Sequence, residues 1–313
     1  MPLSECVAVI CTRNRPDDLQ RTISSIASQS GAEELMVLIV DASDSPAQAH
    51  NATLSANYPS LHIRYLSYPG PPSLARQRNF AIDHAPPLAQ ILFFLDDDVS
   101  LEPGYFDAIL NLFDQFDELG GVGARITEPS EPSSDGLQRR LRHLFLLDHL
   151  NDGRVLLSGH VSPQPSVPRA EPCQVQWLSG CAMAFRHSTC KHMRFDSNLD
   201  GPSLMEDLDF SYRVSRTAPL MVAPSAHLIH HASPVNRHDA VGYRCASVIH
   251  RYWFIEKNIQ HPLRKPAFWW ATIGQLLATI SSGKPQKWES LRGLWQGIRA
   301  VWLRDHPLLQ HDP

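Results

Sequence analysis

Three consecutive carboxylates, Asp96, Asp97 and Asp98, close the apolar run Phe93-Phe94-Leu95 and are followed by Val99-Ser100. Adjacent like charges repel unless something positive offsets them. Carboxylate oxygens at the C-terminal end of a strand are hard ligands suited to Mg²⁺ or Mn²⁺, and that edge is where open α/β sheets bind ligands. The plainer reading is a solvated turn whose aspartates cap the next helix. Other polar groups could share the chemistry. Thr12-Arg13-Asn14-Arg15 and Asp41-Ala42-Ser43-Asp44 each follow an apolar run, Arg76 and Asn79 stand near the start of a helical segment, and Glu206-Asp207 precedes an apolar helical pattern. Hydrogen-bonding side chains can read a base while arginine and a cation offset phosphate charge, so the set suits a nucleoside diphosphate.

The elements that must position these groups follow from periodicity. Residues 7–11, 35–40, 63–66 and 91–95 are short apolar or β-rich runs. Helical patterns separate them: one after Pro16 with Leu19, Ile23 and Ile26 on one face, and one over 73–84 after the breaker Pro69-Gly70-Pro71-Pro72. Strands alternating with helices at this spacing predict an α/β fold with a mostly parallel sheet and helices on both faces. Parallel strands would bring the polar strand ends to one edge. A helix from Glu102 to Phe116 and a strand over 121–126 follow; residues 127–172 are predicted as long loops with one helical piece over 137–150, and 177–185 as a late strand. After Arg237 the composition changes, and Trp, Arg and Lys interleave with apolar residues through three predicted helices.

In order, Val7-Ala8-Val9-Ile10-Cys11-Thr12-Arg13-Asn14-Arg15, Val40-Asp41-Ala42-Ser43, Ala75-Arg76-Gln77-Arg78-Asn79, Leu95-Asp96-Asp97-Asp98, Gly180 and Glu206-Asp207 resemble the family 2 glycosyltransferases of GT-A fold, over residues 5–235. The resemblance implies a Rossmann-like, mostly parallel sheet flanked by helices. It implies a catalytic domain over 1–236, with a nucleotide-binding half 1–126 and an acceptor half 127–236, followed by a helical extension over 237–313. The implied activity is metal-dependent, inverting transfer from a UDP-, GDP- or dTDP-linked sugar to a glycan or lipid-linked hydroxyl, in bacterial cell-surface polysaccharide, lipopolysaccharide or glycolipid synthesis.

By the same resemblance, Thr12, Arg15 and Asp41 surround the base and ribose and Arg76 lies near the base or phosphates. Arg13, Asn14, Asp44, Asn79, Asp96 and Asp97 are further donor contacts. Asp98 and Asp96 hold Mg²⁺ or Mn²⁺ with His230, or with His231 in its place. Asp207 is the catalytic base, and Trp177, Gly180 and Glu206 face the acceptor. Many relatives carry an acidic or amide residue where this chain has Ala42, which leaves open whether Asp41 or Asp44 meets the base. Structural readings stand beside these: Ser203 and Glu206 have capping-box spacing, and Trp177 is equally suited to core packing.

The formal net charge of −4 over 313 residues argues against a general nucleic-acid binder. Six cysteines without CxxC spacing suit a reduced, cytosolic thiol set, and the N-terminus lacks the pattern of a secretory signal. The predicted location is cytoplasmic. The longest weakly polar stretch, 267–280, is short of the roughly 20 residues that span a bilayer. Trp288, Trp295 and Trp302 recur every seven residues among basic ones, which suits either a helix lying on an anionic membrane surface or a buried helical cap. Two other functions are weighed: a haloacid-dehalogenase-type phosphohydrolase, whose Asp-x-Asp motif the triplet also resembles, and a non-catalytic nucleotide- or glycan-binding module.

Overall fold

The computed structural model describes residues 1–127, 136–165, 171–200, 204–233, 235, 239–283 and 285–310. Its first half alternates β1 (Cys6–Thr12), α1 (Pro16–Ala27), β2 (Met36–Asp41), α2 (Ser45–Asn51), α3 (Leu54–Asn57), β3 (His62–Ser67), α4 (Leu74–His84) and β4 (Ile91–Asp96). Then come β5 (Val99–Leu101), α5 (Tyr105–Gln115), β6 (Gly121–Thr127), α6 (Gly136–Leu144), β7 (Cys173–Val175), β8 (Ala182–Arg186), α7 (His187–His192), α8 (Glu206–Ser215) and β9 (Leu220–His230). Four helices end the chain: α9 (Ala240–Asn258), α10 (Arg264–Ile280), α11 (Lys287–Leu303) and α12 (Pro307–Gln310).

Among the described residues one sheet runs β3-β2-β1-β4-β8-β6-β9-β5, with β7 against β9. The first four strands are parallel, and β8 pairs antiparallel to β4 and β6. β1 is buried along its whole length, and its period-2 alternation sorts side chains between two cores. Ala8 and Ile10 pack with Leu19, Ile23 and Ile26 of α1 and with α5, whereas Val7 and Val9 pack with Ala75 and Ile82 of α4 and Phe210 of α8. Helices on both faces explain why these strands are apolar on both sides.

Register then sets the functional edge. Thr12 pairs with Asp41 and Cys11 with Asp96, so the strand ends that carry polar groups are level. β5 turns back antiparallel to β9, pairing Val99 with His230 and thereby delivering that histidine beside Asp98.

Several boundaries differ from the sequence reading. The late strand begins only at Ala182, because residues 177–181 turn toward α8 instead of pairing. The helix expected from Glu102 starts at Tyr105, after Gly104 at φ 79°. The helical piece expected over 137–150 ends at Leu144; β5 and β7, of three residues each, and α7, of less than two helical turns, are too short to show a period and went unpredicted. The predicted loops at 128–135 and 166–170 lie outside the described residues, as does Ser203.

A third core joins α9, α10 and α11 to α8 through Leu208, Tyr212, Phe254, Phe268 and Leu294. Charges fix this junction. Asp209, fully buried, accepts from Arg213, Lys257 and Asn258, while Asp196 accepts from Lys257 and from the Trp253 indole. Burial alone would raise the Asp196 carboxyl, but its hydrogen bonds from Lys257, Trp253 and Asn198 outweigh that and hold it below its ordinary value. We expect Lys257→Met to lower stability at neutral pH by about 3 kcal/mol, since it strips a partner from buried carboxylates. A depressed carboxyl stabilises above its unfolded pKa and loses that contribution as pH falls through the folded value. The gap between wild type and variant, read from urea unfolding, should therefore narrow as pH falls below the ordinary carboxylate range.

Candidate active site

A cleft of about 820 Å³ opens at the C-terminal ends of β1 and β4. Asp97 is buried there: it accepts a 2.7 Å hydrogen bond from the Thr12 hydroxyl and a 3.0 Å one from the Arg15 guanidinium. Burial still pushes its carboxyl up to about 7 against Arg15 and Thr12. Asp98 behaves oppositely. Burial would raise it, but His230, the Ser233 backbone N–H at 2.8 Å and Arg15 together hold it at about 2. The Arg15 guanidinium also donates to the Val235 carbonyl, tying β1's end to the segment after β9.

The opposite wall is organised by Arg78 of α4, which is buried. It donates to Glu206 at 3.1 Å, to Asp96 at 3.3 Å and to the Gly180 carbonyl at 3.0 Å. The Gly180 amide in turn donates to Asp207 Oδ2 at 2.8 Å, and Asp207 Oδ1 accepts from the Leu208 amide at 2.7 Å. A Cβ at Gly180 would lie 2.9 Å from the tip of Arg78 and 3.1 Å from Asp207, so any larger residue would push these two groups from their present places. Glu206 is buried with its Oε2 lacking a hydrogen-bond partner in the structure, and burial with the neighbouring Asp207 raises its pKa against Arg78. Helix α8 begins at Glu206 with Met205 as its N-cap at φ 69°; the capping-box reading of Ser203 and Glu206 falls on a residue outside the described ones.

The cleft therefore brings together Thr12, Arg13, Arg15, Asp96, Asp97, Asp98, Gly180, Glu206, Asp207 and His230. Other sequence candidates lie elsewhere. Arg76 is absent from the lining and points toward Asp200 at 3.7 Å, because on a helix it stands two residues out of phase with the buried position 78. Asn79 exchanges hydrogen bonds with the Phe195 backbone. Asn14 and Asp44 bind each other at the surface. Asp41 is fully buried beneath the edge, accepting from the Ser43 amide, Asn51 and the Tyr65 hydroxyl. Trp177 is also absent from the lining; it packs against the third core and donates to the Ser162 carbonyl. His231 turns to Ser100, leaving His230 with its Nε2 at 3.2 Å from Asp98. Among the lining residues that sequence reasoning passed over are Arg78 and Gln77 of α4 and, from the C-terminal helices, Tyr243, Arg244, Gln286 and Ser290. The helical phase of Ala75 and Ile82 would have found Arg78.

One oxygen each from Asp96 and Asp98 and one ring nitrogen of His230 lie within 4.8 Å of one another. Two carboxylates and an imidazole at that spacing fit a hard divalent cation.

A parallel half-sheet whose strand ends gather an acidic triplet, facing a helix N-terminus with a second acidic pair, is the arrangement of the GT-A fold. The chain belongs to glycosyl transferase family 2, whose sequence model matches residues 7–193. This membership removes the phosphohydrolase alternative. No curated protein sequence matches the chain. Similar solved folds include GalNAc-T7 with UDP, GalNAc and Mn²⁺, at TM-score 0.64 and 14% identity, covering 97% of this chain and 58% of that one. They also include the mannosyltransferase PcManGT of Pyrobaculum calidifontis with GDP-Man and Mn²⁺, at TM-score 0.59, 13% identity and coverages of 97% and 90%. S. aureus TarS 1-349 follows at TM-score 0.52, 10% identity and coverages of 98% and 92%. The chain thus spans less than two thirds of the length of GalNAc-T7.

Proposed function

We propose that this protein transfers a sugar from a nucleotide-sugar donor to an acceptor hydroxyl, with inversion and with the help of Mg²⁺ or Mn²⁺. The convergence of Asp96, Asp98, His230 and Asp207 on one cleft carries the reading. Asp96, Asp98 and His230 would hold the cation, which when bound acts as a Lewis acid on the departing diphosphate. Thr12, Arg13 and Arg15 line the donor side. Asp207 takes the proton of the acceptor hydroxyl as that oxygen attacks the anomeric carbon from the face opposite the diphosphate. A single displacement inverts the centre, so one carboxylate suffices as base. The unpartnered Glu206 Oε2 is placed to accept from a second acceptor hydroxyl, and Arg78 keeps Glu206 and Asp96 compatible across the cleft. With Asp41 satisfied internally, base recognition falls to other groups of the β1 and β2 loops.

The catalytic body is residues 1–236, divided near 126, and 237–313 are its extension. The acceptor is a glycan or lipid-linked hydroxyl, met at the cytoplasmic face of a bacterial membrane during surface polysaccharide, lipopolysaccharide or glycolipid assembly. A thermal-shift panel of UDP, GDP, dTDP and their sugars, with and without Mn²⁺, tests the donor class, because ligands of the native state raise its melting temperature. One nucleotide family should give a shift that requires the cation; an unshifted chain across the whole panel would overturn the reading.

A further inference from the structure

Charge is unevenly distributed on this acidic protein. Helices α6, α10 and α11 carry eight of its 28 Lys and Arg residues but one of its 32 Asp and Glu. The same three helices expose large apolar side chains. On α11, Trp288, Trp295 and Trp302 are 74%, 66% and 75% exposed, directly opposite the buried Gly293, Leu294 and Gly297. Arg292 and Arg299 follow two of these tryptophans at i+4 and share their outward face. On α10, Ile273, Leu277 and Ile280 form an exposed stripe, and on α6 exposed Leu141 and Leu144 stand among Arg139, Arg140 and Arg142. The surfaces adjoin: Trp270 stacks on Phe145 just after α6 and donates to the Leu144 carbonyl, while Trp269 meets Trp302 edge-on.

We propose that α6, α10 and α11 form a docking face for the surface of an anionic lipid bilayer. No described helix is long and apolar enough to cross a membrane, so the contact is interfacial. Tryptophan favours the headgroup boundary, and interleaved Arg and Lys complement anionic lipid. A second copy of the chain fits this face poorly, because a two-fold contact through α11 would set its arginines against one another. Position supports a lipid partner as well. Gln286 and Ser290, at the start of α11, line the mouth of the cleft beside Tyr243 and Arg244 of α9. Docking through α11 would therefore hold that mouth close to acceptors embedded in the bilayer. The inference deepens the reading of a lipid-linked acceptor and rests on it for its purpose, but the binding itself is measured without nucleotide.

The test is co-sedimentation of the full chain with phosphatidylglycerol-containing vesicles and with pure phosphatidylcholine vesicles, at low and high salt. Wild type should pellet with the anionic vesicles at low salt, weakly with the neutral ones, and the triple variant W288A/W295A/W302A should bind at least about tenfold less. R292E/R299E should lose binding by a similar factor and remove most of the salt dependence. All variants should keep the melting temperature and any cation-dependent nucleotide shift of wild type, which separates failure of docking from failure of the catalytic reading. Wild type remaining in the supernatant with anionic vesicles would overturn the proposal. So would a triple tryptophan variant that pellets like wild type, or a wild-type dimer in analytical ultracentrifugation that the triple variant abolishes.

Discussion

Asp207→Asn is expected to leave a folded protein that binds donor normally and turns over about 10² to 10⁴ times more slowly. The substitution keeps the side chain's shape and one oxygen to accept from the Gly180 or Leu208 amide, so the geometry around α8 is largely retained. What disappears is the capacity to take a proton. A sugar hydroxyl is a weak nucleophile at neutral pH, and its attack depends on a carboxylate positioned to receive that proton in the transition state. Removing the helix N-terminal charge should cost about 0.3 to 1 kcal/mol of stability, and the Gly180 or Leu208 amide left without its acceptor about 1 to 3 kcal/mol more. Steady-state transfer assays, alongside nucleotide titration and thermal melting, separate these effects. Wild-type turnover by the variant would reassign the base, and Glu206, adjacent in the cleft with an unpartnered oxygen, would be the next group to replace.

Asp98→Ala should weaken divalent-cation binding by at least about 100-fold, given that loss of mere supporting groups around metal ligands costs 10 to 100-fold. Asp98 is held ionised by His230, the Ser233 amide and Arg15, so it presents a full negative charge at neutral pH and its loss cannot be covered by a neighbour. Asp97 is turned to Thr12 and Arg15 and is not part of the Asp96, Asp98 and His230 cluster, so it does not stand in for Asp98. Calorimetric titration with Mn²⁺, in the presence and absence of the nucleotide found in the panel, reads the loss directly. Undiminished Mn²⁺ affinity in Asp98→Ala would place the cation elsewhere. His230→Ala should fall between that variant and wild type.

The parallel first half of the sheet was legible because its signals are local and redundant. β1, β2 and β4 are continuous apolar runs buried on both faces, and each ends in a polar group that the parallel register then aligns. What the sequence concealed depends on contacts across long separations. Arg76 and Arg78 are equally basic and two residues apart, and only the phase of α4 against the sheet decides which one enters the cleft. Asp41 looks like a donor ligand until Asn51 and Tyr65 close over it. Trp177 and Gly180 were read as parts of one strand, yet the chain turns at Gly180 to let Arg78 and Asp207 approach from opposite sides. The choice between His230 and His231 rests on the β5–β9 pairing, and β5 is only three residues long, too short for any periodicity to announce it.

Between Ala223 and His227 the pairing of β9 with β6 is interrupted, with Pro224, Ser225 and Ala226 unmatched opposite the Ala124-Arg125 step. Proline is tolerated there because a bulge asks no ladder hydrogen bond of it. Since strand side chains alternate faces, a one-residue change of length in this short irregularity would swing His230 to the far side of the sheet: dropping one brings His231 round in its place, and adding one brings Ile229. The segment thus works as a spacer whose length matters more than its composition: substitutions at Ser225 should pass quietly, whereas a single-codon insertion, which seats Ile229 at the histidine's position, should be as damaging as removing the histidine itself.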